Sequence, residues 1–185
     1  DGTGRDGTGR DGTETHFNTH GYTYVMRIRE FGDDPQVAVV AAVHGDEPCG
    51  PRAVDGLLAD PPAFRRPVKF VVANERALDR EARYLDDDLN RTFPGDANAD
   101  SHEGRLAPRL LAELEGCTTL ALHSTQSYAD PFALVDTVSP ATAGLCSRLP
   151  IDAVVETDAY ADGRLIDYPG TVEVECGRQW SDRAV

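Results

Sequence analysis

Residues 37–47, with the sequence VAVVAAVHGDE, decide the fold class of this chain. The first seven residues, Val37 to Val43, are apolar without alternation, and the polar segment HGDE follows them directly. A strand that is apolar at every position must be covered on both faces, as in a sheet that lies between two layers of helices. The stretch therefore predicts an α/β fold.

Other runs rich in β-branched and aromatic residues predict further strands. They lie at Tyr24 to Arg29, Val68 to Ala73, Thr118 to Leu122, Phe132 to Val135 and Thr171 to Val174. Helical periodicity between them predicts helices around residues 53–58, 106–114 and 139–149. This alternation predicts a mixed, largely parallel sheet with helices on both faces.

The N-terminal segment, residues 1–21, begins with repeats of the unit DGTGR, which cannot bury apolar surface. We expect this segment to be disordered or derived from a cloning vector. The remaining length suits a single domain, which we predict to span residues 22–185.

The charge balance excludes two classes of partner. With 32 acidic and 18 basic residues, the chain has a net charge of −14, which repels nucleic acids and anionic membrane surfaces. No apolar run approaches the roughly 20 residues of a membrane span, and no secretory signal is visible. We therefore expect a cytoplasmic protein that binds neither nucleic acid nor membrane.

The basic residues are almost all arginine, since Lys69 is the only lysine of the sequence. An acidic surface of this kind suits a salt-loving source, because high salt screens the repulsion between its charges. We therefore put forward the hypothesis that the protein is halophilic.

Three polar residues follow or lie close to the ends of predicted strands. His44 and Glu47 belong to the HGDE segment, in which Gly45 permits a sharp turn, and His123 follows the strand TTLAL. Ligands of open α/β sheets gather beyond the carboxyl ends of the strands. Two histidines and one carboxylate form a typical catalytic zinc site with the fourth position open to water. These residues therefore predict a zinc centre.

Residues 83–95, with the sequence RYLDDDLNRTFPG, mix arginine, asparagine and three carboxylates around Leu89. Taken alone, such a segment is most often a solvated charge run. Taken together with the segments HGDE, LHST at 122–125 and VEVECG at 172–177, it resembles the aspartoacylase and succinylglutamate desuccinylase family of zinc carboxypeptidase-like hydrolases. The resemblance extends from Val37 to Gly177 with the four motifs in the expected order.

The resemblance implies a hydrolase that uses one zinc ion per chain to cleave the amide bond of a small N-acyl amino acid. His44, Glu47 and His123 resemble the zinc ligands, and Asp88 is similar to the carboxylate that orients a zinc histidine. Such an outer carboxylate fixes the tautomer of the imidazole ligand. By the same resemblance, residues 22–185 form the catalytic domain.

The resemblance also implies residues for catalysis and substrate binding. Arg83 resembles the group that polarises the scissile carbonyl, and Asn90 with Arg91 resembles the pair that binds the substrate carboxylate. A guanidinium suits both roles, because it stabilises negative charge and matches a carboxylate in shape. An acidic acyl group would need a further cation, for which Arg164 and Arg178 are the candidates.

The remaining role is that of the general base, which takes a proton from water and delivers it to the leaving amine. Glu175 fits the pattern of an apolar strand followed by Glu, any residue and Gly. Glu173 is the alternative, because residues two apart on a strand face the same side.

The sequence departs from the family in two places. Ala121 occupies a position, two before His123, at which the family usually has an acidic residue. The chain also ends soon after Glu175, so we expect the additional β-rich domain of the family to be absent from it. Two alternative functions remain: a zinc carboxypeptidase acting on peptides, and a metal-binding relative without turnover.

Overall fold

A mixed eight-stranded sheet forms the centre of the fold in the computed structural model, which describes residues 10–12, 15–17, 23–157 and 162–185. The strands are β1 (Arg10–Gly12), β2 (Thr15–Phe17), β3 (Thr23–Val25), β4 (Arg27–Phe31), β5 (Val37–Ala41), β6 (Val68–Val72), β7 (Thr118–Thr125), β8 (Phe132–Val135), β9 (Ala153–Glu156) and β10 (Thr171–Arg178). The helices are α1 (Cys49–Ala59), α2 (Glu75–Leu78), α3 (His102–Leu114) and α4 (Pro140–Cys146). Short 3₁₀ turns lie at Leu89–Arg91, Leu165–Asp167 and Asp182–Ala184.

The strand order in this sheet is β1-β4-β6-β5-β7-β10-β8-β9, while β2 and β3 pair separately. The pairings of β5 with β6 and β7, of β7 with β10, and of β8 with β9 are parallel. The pairings of β4 with β1 and β6, and of β10 with β8, are antiparallel. The prediction of a mixed, largely parallel sheet is confirmed.

Helices cover both faces of the sheet, as the unbroken apolar character of β5 predicted. On one face, Ala41 of β5 belongs to a buried cluster with Val54 of α1. On the other face, Ala38 and Val40 belong to a cluster with Leu110 of α3. Full burial of one such leucine side chain stabilises the fold by about 1.5–3 kcal/mol.

The boundaries of α3 follow from local sequence. Its N-cap is Ser101, whose hydroxyl accepts a hydrogen bond from the Gly104 N–H at 3.1 Å. Leu106, Leu110 and Leu114 then recur at four-residue intervals and form the buried stripe of the helix.

The structure differs from the predicted elements in several places. The predicted strand at Tyr24 to Arg29 is divided between β3 and β4, and β7 continues through Thr125, so His123 lies within a strand. β5 ends early at Ala41, because the next residue has a left-handed backbone with φ of 53°. The sequence analysis missed β9, whose four residues are all exposed, and α2, which is too short to show periodicity.

Two pieces of the N-terminal segment are described: residues 10–12 and 15–17 form β1 and β2. The other residues of this segment, which we predict to be disordered or vector-derived, lie outside the described residues. The predicted boundary at residue 22 lies outside them as well. The predicted domain boundaries therefore stay a prediction. Over the described ranges, no helix combines the length and the apolar character that crossing a bilayer requires.

Candidate active site

The HGDE turn at the carboxyl end of β5 contacts the second motif, residues 83–95. The backbone of Gly45 packs so closely on α2 that a Cβ atom there would lie 2.2 Å from the carbonyl carbon of Ala77. Only glycine can occupy such a position. The Gly45 N–H donates a hydrogen bond of 3.1 Å to the carbonyl oxygen of Arg83. The first motif is thereby fixed to the segment that contains Arg83 and Asp88.

Side chains of His44, Glu47 and His123 converge at this point. The Nδ1 atom of His44 lies 2.8 Å from Oε1 of Glu47, and the Nδ1 atom of His123 lies 3.1 Å from Oε2 of the same carboxylate. One ligand atom from each of the three residues lies within 4.8 Å of the others, and all three residues are buried. The structure thus brings together the three residues that the sequence predicts as metal ligands.

Asp88 lies behind His44. Its Oδ1 atom is 2.9 Å from Nε2 of His44, and its Oδ2 atom accepts a hydrogen bond of 3.1 Å from Nε of Arg83. Burial opposes ionisation of Asp88, but the hydrogen bond to His44 and the charge of Arg83 outweigh it and hold the pKa of this carboxyl well below its usual value. Because the ionised carboxylate of Asp88 holds Nε2 of His44, the other ring nitrogen, Nδ1, points at Glu47.

The electrostatic field around His44, Glu47 and His123 favours a positive charge. Burial alone would raise the pKa of Glu47, yet hydrogen bonds with His123 and His44 hold it well below its usual value. Burial alone would likewise lower the pKa of His123, but the hydrogen bond to Glu47 and the charge of Glu173 raise it to about 10. An environment that stabilises an imidazolium also suits a bound metal cation.

A cleft of about 210 Å³ opens over this centre. Its lining includes the three convergent residues and most of the other predicted site residues. These other residues are Arg83, Asn90, Arg91, Arg164, Glu173 and Glu175. Arg178, the second candidate for binding an acidic acyl group, is exposed and is not part of the lining.

The two glutamates of β10 have different surroundings. Glu173 is buried and accepts a hydrogen bond of 3.1 Å from Nδ2 of Asn90. Glu175 also faces the cleft, and its Oε2 atom is buried without a hydrogen-bond partner in the described part of the chain. Burial raises the pKa of Glu175 above its usual value. Glu175 therefore has a free acceptor at the cleft, while Glu173 is held by Asn90.

Asn90 and the arginines of the cleft also differ in their contacts. The Oδ1 atom of Asn90 accepts a hydrogen bond of 2.8 Å from the Leu165 N–H, which fixes the turn that follows Arg164. Arg83 is 41% exposed at its side chain and also contacts Glu47, with Nη1 3.3 Å from Oε1. Arg91 is exposed, whereas Arg164 is half-buried. Among the residues that the structure describes, the cleft therefore presents three guanidinium groups.

Glu103 supports the site from α3, and the sequence analysis missed it. Its carboxylate is fully buried and accepts hydrogen bonds from the backbone N–H groups of Leu85, Asp86 and Asp87 at 2.7, 3.1 and 3.2 Å. Nδ2 of Asn74 donates a fourth bond of 3.1 Å. In the sequence, Glu103 resembles an ordinary acidic residue in the first turn of a helix. No local pattern links it to a loop 16 residues earlier.

Comparison with known proteins agrees with this geometry. The model of the succinylglutamate desuccinylase/aspartoacylase catalytic domain matches residues 33–139, more than half of the chain. No curated protein sequence matches the chain significantly.

Solved structures show the same fold. A succinylglutamate desuccinylase/aspartoacylase from Rhodobacter sphaeroides superposes with a TM-score of 0.70 and 22% identity, covering 98% of this chain and 62% of that chain. A succinylglutamate desuccinylase from a Silicibacter species gives 0.69 and 20%, covering 93% and 60%. Murine aminoacylase 3 gives 0.61 and 22%, covering 83% and 59%. The chain thus spans about three fifths of the length of these proteins. With its family model, its four ordered motifs and this fold, the chain belongs to the succinylglutamate desuccinylase/aspartoacylase family.

Proposed function

We propose that residues 22–185 form the catalytic domain of a zinc-dependent hydrolase that cleaves the amide bond of N-acyl amino acids. The observation that carries this proposal is the convergence of His44, Glu47 and His123 beneath a cleft lined by arginines and by Glu175. Family membership supports it, because the matching model describes desuccinylases and aspartoacylases.

The donor set suits one zinc ion per chain. Two imidazoles and one carboxylate are the ligands of many catalytic zinc sites, which keep one position open. His44, Glu47 and His123 are all buried, yet each also lines the cleft, so a substrate has access to that position. When bound, zinc would supply an activated water and polarise the carbonyl oxygen of the substrate.

Two residues of the cleft fit the chemical steps. The guanidinium of Arg83 would stabilise the negative charge that develops on the carbonyl oxygen during attack. Glu175 would accept a proton from the attacking water and deliver it to the amine nitrogen as the C–N bond breaks. Its Oε2 atom, which no described residue hydrogen-bonds, and its pKa, which burial raises, suit a group that binds and releases a proton.

The other two arginines of the cleft suit a carboxylate group of the substrate. Arg91 and Arg164 both line the cleft, and a guanidinium matches a carboxylate in shape and charge. Asn90 would assist by joining the two segments that contain these arginines, through the hydrogen bond that its Oδ1 atom accepts from the Leu165 N–H.

Zinc content and hydrolysis test the proposal on the full chain. We expect one zinc per chain, lost when His44, Glu47 or His123 is replaced by alanine. His102→Gln is the matched control, because it changes a buried histidine outside the cleft and should keep the zinc.

Release of free amino acid is then measured on a panel of N-acyl amino acids and on peptides of the same residues. Hydrolysis of the former by the zinc-loaded chain is the expected result. Full zinc retention by all three alanine variants would remove the basis of the proposal, and cleavage of peptides alone would favour the carboxypeptidase alternative.

A further inference from the structure

His44 and His123 approach the candidate metal position in the same way. Each directs Nδ1 at the carboxylate of Glu47, and each directs Nε2 away from it. Behind His44, the Nε2 atom meets the carboxylate of Asp88 at 2.9 Å. Behind His123, the Nε2 atom is buried and has no hydrogen-bond partner within the described ranges, but Oε1 of Glu173 lies 3.9 Å away.

We propose that Glu173 is the positioning residue of His123, with the role at this histidine that Asp88 has at His44. This inference rests on the metal site of the proposed function. The distance of 3.9 Å is too long for a direct hydrogen bond, so the carboxylate acts on Nε2 through its charge. Both side chains are buried, so water screens this charge little. In a neutral imidazole, the carboxylate therefore favours the tautomer with the proton on Nε2, which leaves the lone pair of Nδ1 for a metal.

The register of the sheet explains why Glu173 can reach this nitrogen. In the parallel pairing of β7 with β10, Glu173 is the partner of Ala121, and Glu175 is the partner of His123. Side chains at 121, 123, 173 and 175 thus share one face of the sheet. Ala121 contributes only a methyl group, so the carboxylate beside the imidazole comes from the neighbouring strand.

Asn90 keeps Glu173 in this position. Its Nδ2 atom donates a hydrogen bond of 3.1 Å to Oε1 of Glu173, the oxygen that faces His123. Glu173 therefore already has one fixed contact, unlike Glu175, whose Oε2 atom has no hydrogen-bond partner in the described ranges of the chain. This difference assigns distinct roles to the two glutamates: Glu173 orients a ligand, and Glu175 exchanges the proton.

Zinc affinity, measured by competition with a chelator, separates these roles without any assay of turnover. Glu173→Gln keeps an acceptor for Asn90 and removes the charge, so the zinc dissociation constant should rise about 10- to 100-fold, as for other outer carboxylates of zinc sites. Glu175→Gln, two residues away, should raise this constant less, and the exposed Glu115→Gln is the control that should leave it unchanged. Glu173→Asp keeps the charge and should bind zinc more tightly than Glu173→Gln.

A second variant distinguishes charge from packing. Ala121→Asp, added to Glu173→Gln, places a carboxylate in the adjacent register position and should recover part of the lost affinity. Melting of the zinc-free chains verifies that all variants fold. Wild-type affinity in Glu173→Gln, or no recovery in the double variant, would overturn the inference alone. Absence of zinc binding by the wild-type chain would instead overturn the proposed function together with it.

Discussion

Glu103→Gln tests whether one buried carboxylate holds the loop of the second motif. Oε1 of Glu103 accepts hydrogen bonds from Asn74 Nδ2 and the Leu85 N–H, and Oε2 accepts them from the N–H groups of Asp86 and Asp87. The amide oxygen of glutamine can serve only one of these pairs, and its NH₂ group would face the other pair of donors. Two of the four donors would thus lose their acceptor.

The magnitude follows from these contacts. A buried donor left without a partner costs about 1–3 kcal/mol, and the three backbone donors here are only partly buried. Two lost acceptors should therefore lower the free energy of unfolding by about 2–3 kcal/mol, near the lower end of that range. That is a large share of the roughly 5–15 kcal/mol by which a domain is stable. The loop at residues 85–87 lies between Arg83 and Asp88, so turnover should fall as well.

Urea unfolding measures the loss, with the slope on denaturant verifying that the same surface is exposed. Glu115→Gln, an exposed change at the end of the same helix, is the matched control and should stay within about 0.5 kcal/mol of wild type. A free energy of unfolding for Glu103→Gln that also stays within about 0.5 kcal/mol of wild type would refute the reasoning, because the four hydrogen bonds could then not hold the loop.

Four further predictions address catalysis, binding and stability. Glu175→Gln should keep its zinc and lose about 10²- to 10⁴-fold in turnover, far more than Glu173→Gln at saturating zinc; equal losses would contradict Glu175 as the base. Arg91→Ala should raise KM more than it lowers kcat, because it removes binding common to ground and transition states, and an unchanged KM would contradict that role. The pKa of Glu103 is lowered in the folded chain because hydrogen bonds from the backbone and Asn74 outweigh the effect of burial. Ionised Glu103 therefore stabilises the fold fully above the unfolded pKa of about 4.3, and this stabilisation is lost as the pH falls through the pKa of the folded state. The gap in unfolding free energy between wild type and Glu103→Gln should therefore narrow on acidification below about pH 4.3. Finally, the melting temperature should rise between low and molar salt because salt screens the charge of −14, and a flat curve would contradict the halophile hypothesis.

Local patterns predicted the central strands and the longer helices. β5 was predicted because it is apolar at every position, and β6 because it is rich in β-branched and aromatic residues. α3 was predicted because leucines recur along one stripe. β9 was missed because an edge strand with four exposed residues has no buried face to produce a pattern.

For the site, the sequence by itself determined which residue types are available. HGDE supplied an imidazole and a carboxylate on one sharp turn, and the four ordered motifs indicated the family before any geometry was known. Arg83, Arg91 and the glutamates of the cleft were named from those motifs as well, whereas Arg164 was named only as a candidate cation for an acidic acyl group. The sequence favoured Glu175 as the base from its Glu-x-Gly pattern and kept Glu173 as the alternative, because residues two apart on one strand face the same side.

Only the tertiary structure decided which of these groups touch. His44 meets Asp88 across 44 residues, Asn90 meets Glu173 across 83, and Glu103 reaches a loop that precedes it by 16 to 18. Such contacts depend on strand register and helix placement, which arise from burying the whole core at once. A local pattern contains the chemistry of each side chain, but its partners are set by the packing of distant segments.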